Sequence, residues 1–412
     1  MEPDIMASIL SIPCPRVVRI FSPGDLQALL DIRQSLFDLP GSTFFSTWNF
    51  FLDPCAGFTG VTCSSDDSNV NFLRVSVLTL GTGLTDSPGL GGTLPHSISN
   101  LTALNELVIF PGKISGPIPT NIGPKLPFLR LLSISSNRFL GPIPTALSNL
   151  PFLHTLDLSQ NQLQGPIPSS LLSSNPSLKV LLLAYNGGLF GSIPSELTSA
   201  PNLLHLDLRG NSFTGSLPPL PATLRFLSAS LNSLSGLLYL DSPALEFVDL
   251  SYNGFSGAFP LSIFALPRLS SIFLSHNNFS GDVSLPFSSE PTPRWAVVDV
   301  SHNMLTGELP AGLAASATLY LNGNRFTGAV PEEYIASVYN GSMNTLYAQD
   351  NYLTVFSRPV ATGMAVPATA SLCLSHNCMV PPAEATSGCP SSVQAQLPRP
   401  AYQCRAPAGG RH

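Results

Sequence analysis

The chain has 412 residues, of which only 10% are Asp, Glu, Lys or Arg, against about 25% in ordinary soluble domains. With 44% hydrophobic residues and a net charge of −6 it is too apolar and too weakly charged for intrinsic disorder. Its 18 Lys and Arg form no run able to track phosphates, which excludes nucleic acid as a partner, and no apolar stretch is long enough for a membrane helix.

Along the chain, 32 Gly and 40 Pro fall between apolar residues and cut the sequence into short elements. Residues 1–21 are set apart as a leader segment. They contain a short apolar run over 5–12, preceded by Glu2 and Asp4 where a secretory leader carries positive charge. The seven cysteines cluster near the ends: Cys14, then Cys55 and Cys63, then Cys373, Cys378, Cys389 and Cys404. Removal of the leader takes Cys14 with it and leaves an even six. Zinc spacing of the Cys-x2-Cys kind is missing, so these six are read as disulfide cysteines of an oxidising compartment and no metal or cofactor is expected. Residues 22–74 form an N-terminal cap. Asp25 is the expected helix N-cap, with Leu26, Leu29, Leu30, Arg33 and Phe37 on one face, and Trp48 and the Cys55–Cys63 segment follow.

Residues 75–356 repeat. The frame Leu-x-x-Leu-x-Leu-x-x-Asn falls on Asn137, Asn161, Asn186, Asn211, Asn232, Asn253, Asn277, Asn303, Asn324 and, degenerately, Asn351, at separations of 21 to 27 residues. Two earlier copies end on Gly83 and Gly112, which makes twelve coils. The Leu-x-Leu alternation predicts a short strand with one buried face. The asparagine amide, donor and acceptor together, can satisfy the backbone groups that the turn leaves inside the corner. Because one coil cannot bury its own leucines, the coils must stack as a solenoid, with a concave parallel sheet on the order of 50 Å long. Residues 357–412 read as a Cys- and Pro-containing tail, whose four cysteines allow three pairings.

The portions Gly116-Pro-Ile118-Pro119, Gly141-Pro-Ile143-Pro144 and Gly165-Pro-Ile167-Pro168 resemble the plant-type leucine-rich repeat nearly letter for letter. One departure stands after Asn232, where Gly236-Leu-Leu238-Tyr239 replaces the Ile-Pro portion. The resemblance implies an α/β solenoid: a right-handed superhelix with a concave parallel sheet and an N-terminal helical cap. In that cap Phe58 stands where the family usually has a second Trp, and Cys55 pairs with Cys63. It further implies a secreted or extracellular receptor-like protein that binds a peptide, a protein or a cell-wall glycan on its concave face, in development or defence, and works with a co-receptor kinase. The alternative is an inhibitor of a secreted wall-degrading enzyme, similar to polygalacturonase inhibitors; a passive wall protein is the third reading.

No phosphate loop, kinase catalytic loop or nucleophile elbow is present, and an enzyme is not expected. The x positions of each strand face the concave solvent side. Third positions give His205, Phe226 and Phe247. Fifth positions give Asp207, Ser228, Asp249, Phe273, Asp299, Tyr320 and Tyr347; eighth positions include Tyr185, Tyr252, His276 and His302. Aromatic groups held on a rigid solvated sheet favour a binding role. The candidate ligand residues are therefore Phe226, Phe247, Asp249, Tyr252, Phe273, His276, Asp299 and Tyr320. The aspartates also fit a bland reading, since Leu-Asp-Leu-Ser strands are common in this family whatever the ligand. The sequons at Asn100, Asn278 and Asn340 are glycosylation acceptors if the chain is secreted.

Overall fold

The computed structural model describes residues 20–65, 72–83, 88–283, 295–357, 366–382, 389 and 397–404. Most of the leader segment, with Cys14, lies outside the described residues. Each coil contributes a short strand to one parallel sheet. In chain order these are Phe72–Leu80, Glu106–Ile109, Leu131–Ser133, Thr155–Asp157, Val180–Leu182, His205–Asp207, Phe226–Ser228, Phe247–Asp249, Ser271–Phe273, Val297–Asp299, Thr318–Tyr320, Thr345–Tyr347 and Ser371–Cys373, numbered here coils 1 to 13. The register sets like against like: Leu132, Leu156, Leu181 and Leu206 are direct partners on successive strands. All four are at most 2% exposed, and their ladder continues through Leu227, Val248, Ile272, Val298, Leu319 and Leu346. The side-chain period of two thus gives each strand one dry face inside the coil and one face turned to the concave solvent. The fold is an α/β solenoid in which neighbouring coils bury one another's leucines.

The coil count exceeds the sequence reading by one. Ser371–Cys373 pairs in parallel with Thr345–Tyr347, Leu372 and Leu374 are fully buried, and Asn377 takes the corner position 26 residues after Asn351. The stretch read as non-periodic tail therefore begins with a thirteenth coil. Its frame was hidden because the leading leucine is replaced and no Gly-x-Ile-Pro portion follows.

The asparagines do what their amides allow. In Asn161, Nδ2 donates to the carbonyls of Leu158 (3.2 Å), Ser159 (3.1 Å) and, in the preceding coil, Ile134 (3.0 Å). Its Oδ1 accepts from the backbone N–H of Phe139, also in the preceding coil. The same four-bond pattern repeats at Asn277 and Asn377. Beyond each asparagine the chain forms a second short strand, such as Gln162–Gly165, and these pair into a separate sheet of 11 strands ending at Met304–Thr306. This second sheet repeats with the same period, its strands burying one apolar residue two positions after the asparagine, such as Phe139, Leu163, Phe213 and Phe279. Its strands close on glycines such as Gly165, whose φ of 91° a side chain would strain.

The ends are closed by different means. The cap helix Pro23–Ser35 buries Ala28, Leu29 and Ile32. Asp25 is not its N-cap. Ser22 holds that position, and Asp25 sits in the first turn, fully buried, with its carboxylate turned to the first coil. There it pairs with Arg74 at 3.0 Å and accepts the Val75 N–H at 2.8 Å. The helix lies where the sequence places it, but Phe37, expected on its apolar face, falls beyond its end in the strand Leu36–Asp38 and is exposed. The polar partner of Asp25 lies 49 residues away, beyond any local capping rule. Ile20–Phe21, placed in the leader by sequence, forms the outermost strand of the concave sheet against Phe72 and Leu73. Trp48 stacks on Phe58 at 5.1 Å, its Nε1–H donates to the Thr59 carbonyl, and Cys55 is bonded to Cys63. At the other end Cys373 pairs with Cys389 and Cys378 with Cys404, which selects one of the three open pairings. Residues 397–404 lie back on the last coil, where Arg399 donates from its backbone N–H to Asn377 and from Nε to the Asn351 carbonyl.

Candidate functional site on the concave sheet

Two rows of rings run across the coils on the concave side. The first follows the third strand position: His205 lies 4.1 Å from Phe226, and Phe226 is parallel to Phe247 at 4.3 Å with 3° between planes. Phe273, two positions further along its strand, continues the row at 5.6 Å from Phe247. The parallel register causes this row, since it sets His205, Phe226 and Phe247 directly opposite one another. The second row lies at the residue just before the corner asparagine. Tyr252 stacks on His276 at 4.1 Å and His276 on His302 at 4.2 Å, and His302 Nε2 lies 3.1 Å from Asn322 Nδ2.

That second row sits on unusual backbone. In coils 3 to 13 the residue before the asparagine has φ between 53° and 66°. This left-handed conformation costs an ordinary residue about 1–2 kcal/mol and suits glycine or asparagine. Glycine fills it only at Gly210 and Gly323, and in both cases the preceding coil's ring occupies the room a side chain would need: Tyr185 leans over Gly210, and His302 Nδ1 lies 2.8 Å from a Cβ built on Gly323. The nine other coils keep side chains at strained positions.

Between the rows, over coils 8 to 12, lies a cleft of 620 Å³. Seven of the eight residues singled out from sequence line it together: Phe247, Asp249, Tyr252, Phe273, His276, Asp299 and Tyr320. Phe226 is outside the lining and backs Phe247 from coil 7. His302 and Tyr347, noted in the frame but not singled out, also line it, with Tyr347 edge-on to Tyr320 at 5.2 Å. Reading third, fifth and eighth positions missed the seventh position, which brings Ser251, Ser275, Ser301, Asn322 and Gln349 to the cleft. The seventh position could have been found by noting that the chain there is already turning out of the strand.

The aspartates have a structural duty as well. Oδ1 of Asp249 accepts from both the N–H and the hydroxyl of Ser251, at 3.1 and 2.6 Å. Asp299 holds Ser301 in the same way at 3.0 and 2.6 Å, and Asp157 and Ser159 repeat the motif outside the cleft. Asp207, in contrast, is buried and paired with Arg209 at 2.8 Å. Loss of solvation pushes the His276 imidazole below its usual range; the neighbouring His302 adds to this and Asp299 opposes it. Burial likewise lowers His205, against the pull of Asp207. Burial raises the Tyr320 phenol, helped by Tyr347 and Asp299, so the cleft presents that group as a neutral hydroxyl. Among the described residues no group of three or more His, Cys, Asp or Glu is arranged to hold a metal ion, and no helix is long and apolar enough to cross a membrane. The three sequon asparagines Asn100, Asn278 and Asn340 are exposed and lie outside the cleft, with Asn278 on the second sheet.

Comparison with known proteins places this geometry in context. The pattern of the leucine rich repeat N-terminal domain matches residues 22–64, and that of the leucine rich repeat matches 128–150, 152–174 and 202–224. Receptor-like protein 39 of Arabidopsis thaliana is 38% identical over 72 residues, which is 17% of this chain and 8% of that protein. Among solved structures, PEPR1–AtPEP1 superposes with a TM-score of 0.66 at 27% identity, covering 88% of this chain and 53% of that one. The plant peptide hormone receptor RGFR1 in complex with RGF2 gives a TM-score of 0.51 at 26% identity, covering 75% and 55%. The chain spans less than a fifth of the length of the curated relatives named first by similarity and about half of these receptor structures.

Proposed function

This chain is a leucine-rich-repeat protein of the plant type, and from that premise we propose that it is an extracellular recognition module whose concave face over coils 6 to 12 binds a peptide or protein partner. One observation carries the reading: rings that could be buried are instead held side by side on the solvated face, from His205 through Phe273 and from Tyr252 through His302. Apolar and aromatic groups kept in water on a rigid support mark interaction surfaces, and binding energy concentrates in such anchors. Three disulfides support an oxidising compartment. A co-receptor kinase belongs to the same reading, as the partner that would carry the signal onward.

The test is affinity capture from plant cell-wall extract with the folded, disulfide-intact chain. Replacing Phe226, Phe247 and Tyr252 together by Ala should abolish capture while the thermal unfolding midpoint stays within a few degrees. Undiminished capture by that variant would refute the reading.

A further inference from the structure

Within this binding reading, on which the inference rests, the cleft over coils 8 to 12 has a chemical preference of its own. At the fifth strand position Asp249, Phe273 and Asp299 stand on three successive strands, so an aromatic ring is flanked on either side by a carboxylate. Neighbouring strands are about 4.8 Å apart, which puts the two aspartate backbones roughly 10 Å from each other across the ring. We propose that this ring between two carboxylates receives a positively charged side chain, guanidinium or ammonium, of a polypeptide partner.

Four observations support the assignment. The carboxylates are already oriented, because Oδ1 of each is fixed by its serine, and among the described residues the second oxygen of each makes no hydrogen bond. Among the described residues no Lys or Arg lines the cleft. The neighbouring concave arginines, Arg209 and Arg225, are engaged with Asp207 and Glu246 at 2.8 and 2.7 Å. Independently of the aspartates, at the far end of the same cleft on coil 12 and three strands from Phe273, Gln349 is 5% exposed and its Oε1 has no hydrogen-bond partner among the described residues. A buried acceptor without a donor is costly in an isolated protein, and a ligand N–H removes that cost. A cation gains from the ring face and from both carboxylates, while Gln349 offers its acceptor to a backbone N–H of the same polypeptide, whereas an anion would meet carboxylates and, among the described residues, no Lys or Arg.

The full-length, oxidised protein is titrated at low ionic strength with capped Gly-Ser peptides carrying one central Arg, citrulline or Glu, and with spermidine. The Arg peptide should bind about tenfold more tightly than its citrulline twin, which has the same shape without charge, and added salt should narrow the gap. The double variant Asp249→Asn and Asp299→Asn keeps an acceptor for each serine, so it should fold as before and bind the two peptides alike. Equal affinity for Arg and citrulline in the parent protein, or preference for Glu, overturns the proposal. Spermidine binding as tightly as the Arg peptide overturns the assignment to a polypeptide side chain. Capture from wall extract separates this inference from the broader one. If the aromatic triple variant loses capture and the double Asn variant keeps it, the face binds without a cation in this cleft; if neither loses it, the face itself is not the binding surface.

Discussion

At the level of single residues, the corner asparagines and the concave-face histidines make opposite demands on the solvent. Asn277 is 6% exposed and satisfies four backbone groups that belong to two different coils. Removing its amide leaves them dry and unpaired. Asn277→Ala should therefore destabilise the protein by about 2–4 kcal/mol, visible as a lowered denaturation midpoint with little change in the exposed surface Tyr252. His276 and His205 respond to pH instead. Both imidazoles have folded values below the ordinary 6.5, so the unfolded chain binds the proton more tightly. Their neutral rings contribute in full above pH 6.5, and that contribution is lost as the pH falls below it toward the folded values. The melting temperature should drop between about pH 7.5 and pH 5.5, and the double variant His205→Gln and His276→Gln should show a flatter profile over that window. An unchanged slope in the variant would mean that the stacked rings titrate freely.

Among elements, what the sequence disclosed depended on distance along the chain. The Leu-x-Leu strands and the asparagine corners were legible because the packing partner of each residue is the same residue one period away. The cap disulfide and its tryptophan were legible through family resemblance. The Asp25–Arg74 pair was not, because neither residue advertises a partner 49 positions off, and Asp25 so near a helix start reads most simply as a cap. This pair joins the cap helix to the first coil, and with the Val75 N–H it leaves Asp25 fully paired in the core. Asp25→Ala leaves Arg74 and that N–H without their anion and should cost about 3–5 kcal/mol. Cys55→Ser should cost about 2–3 kcal/mol through the shorter loop it opens. Hydrogen exchange should localise both losses to coils 1 and 2; uniform loss along the solenoid would contradict this view of the cap. The cleft was legible in part for the same reason of period. Third, fifth and eighth positions repeat as side chains, whereas Gln349 and Asn322 belong to the turn and share no residue type with Ser251, Ser275 and Ser301 at the same position.

Over the whole molecule the corner hydrogen bonds that cross between coils all point one way. Each asparagine reaches back to finish the coil before it: Asn161 serves Ile134 and Phe139, Asn303 serves Leu274 and Phe279, Asn377 serves Ala348 and Leu353. The solenoid therefore has a direction, like a zip with a single slider. During synthesis from the N-terminus, the newest turn always waits for its successor before its inner amides are quenched. Coil 13 has no following coil among the described residues and borrows residues 397–404, through His376 N–H to Leu397 and Arg399 N–H to Asn377. Shortening the chain after residue 382 should unravel from that end coil by coil, seen as early proteolysis near Tyr347, while the cap and the first coils stay intact. Growth of such a protein by duplication of whole turns is then tolerated anywhere before residues 397–404, which occupy the place on coil 13 that another turn would take.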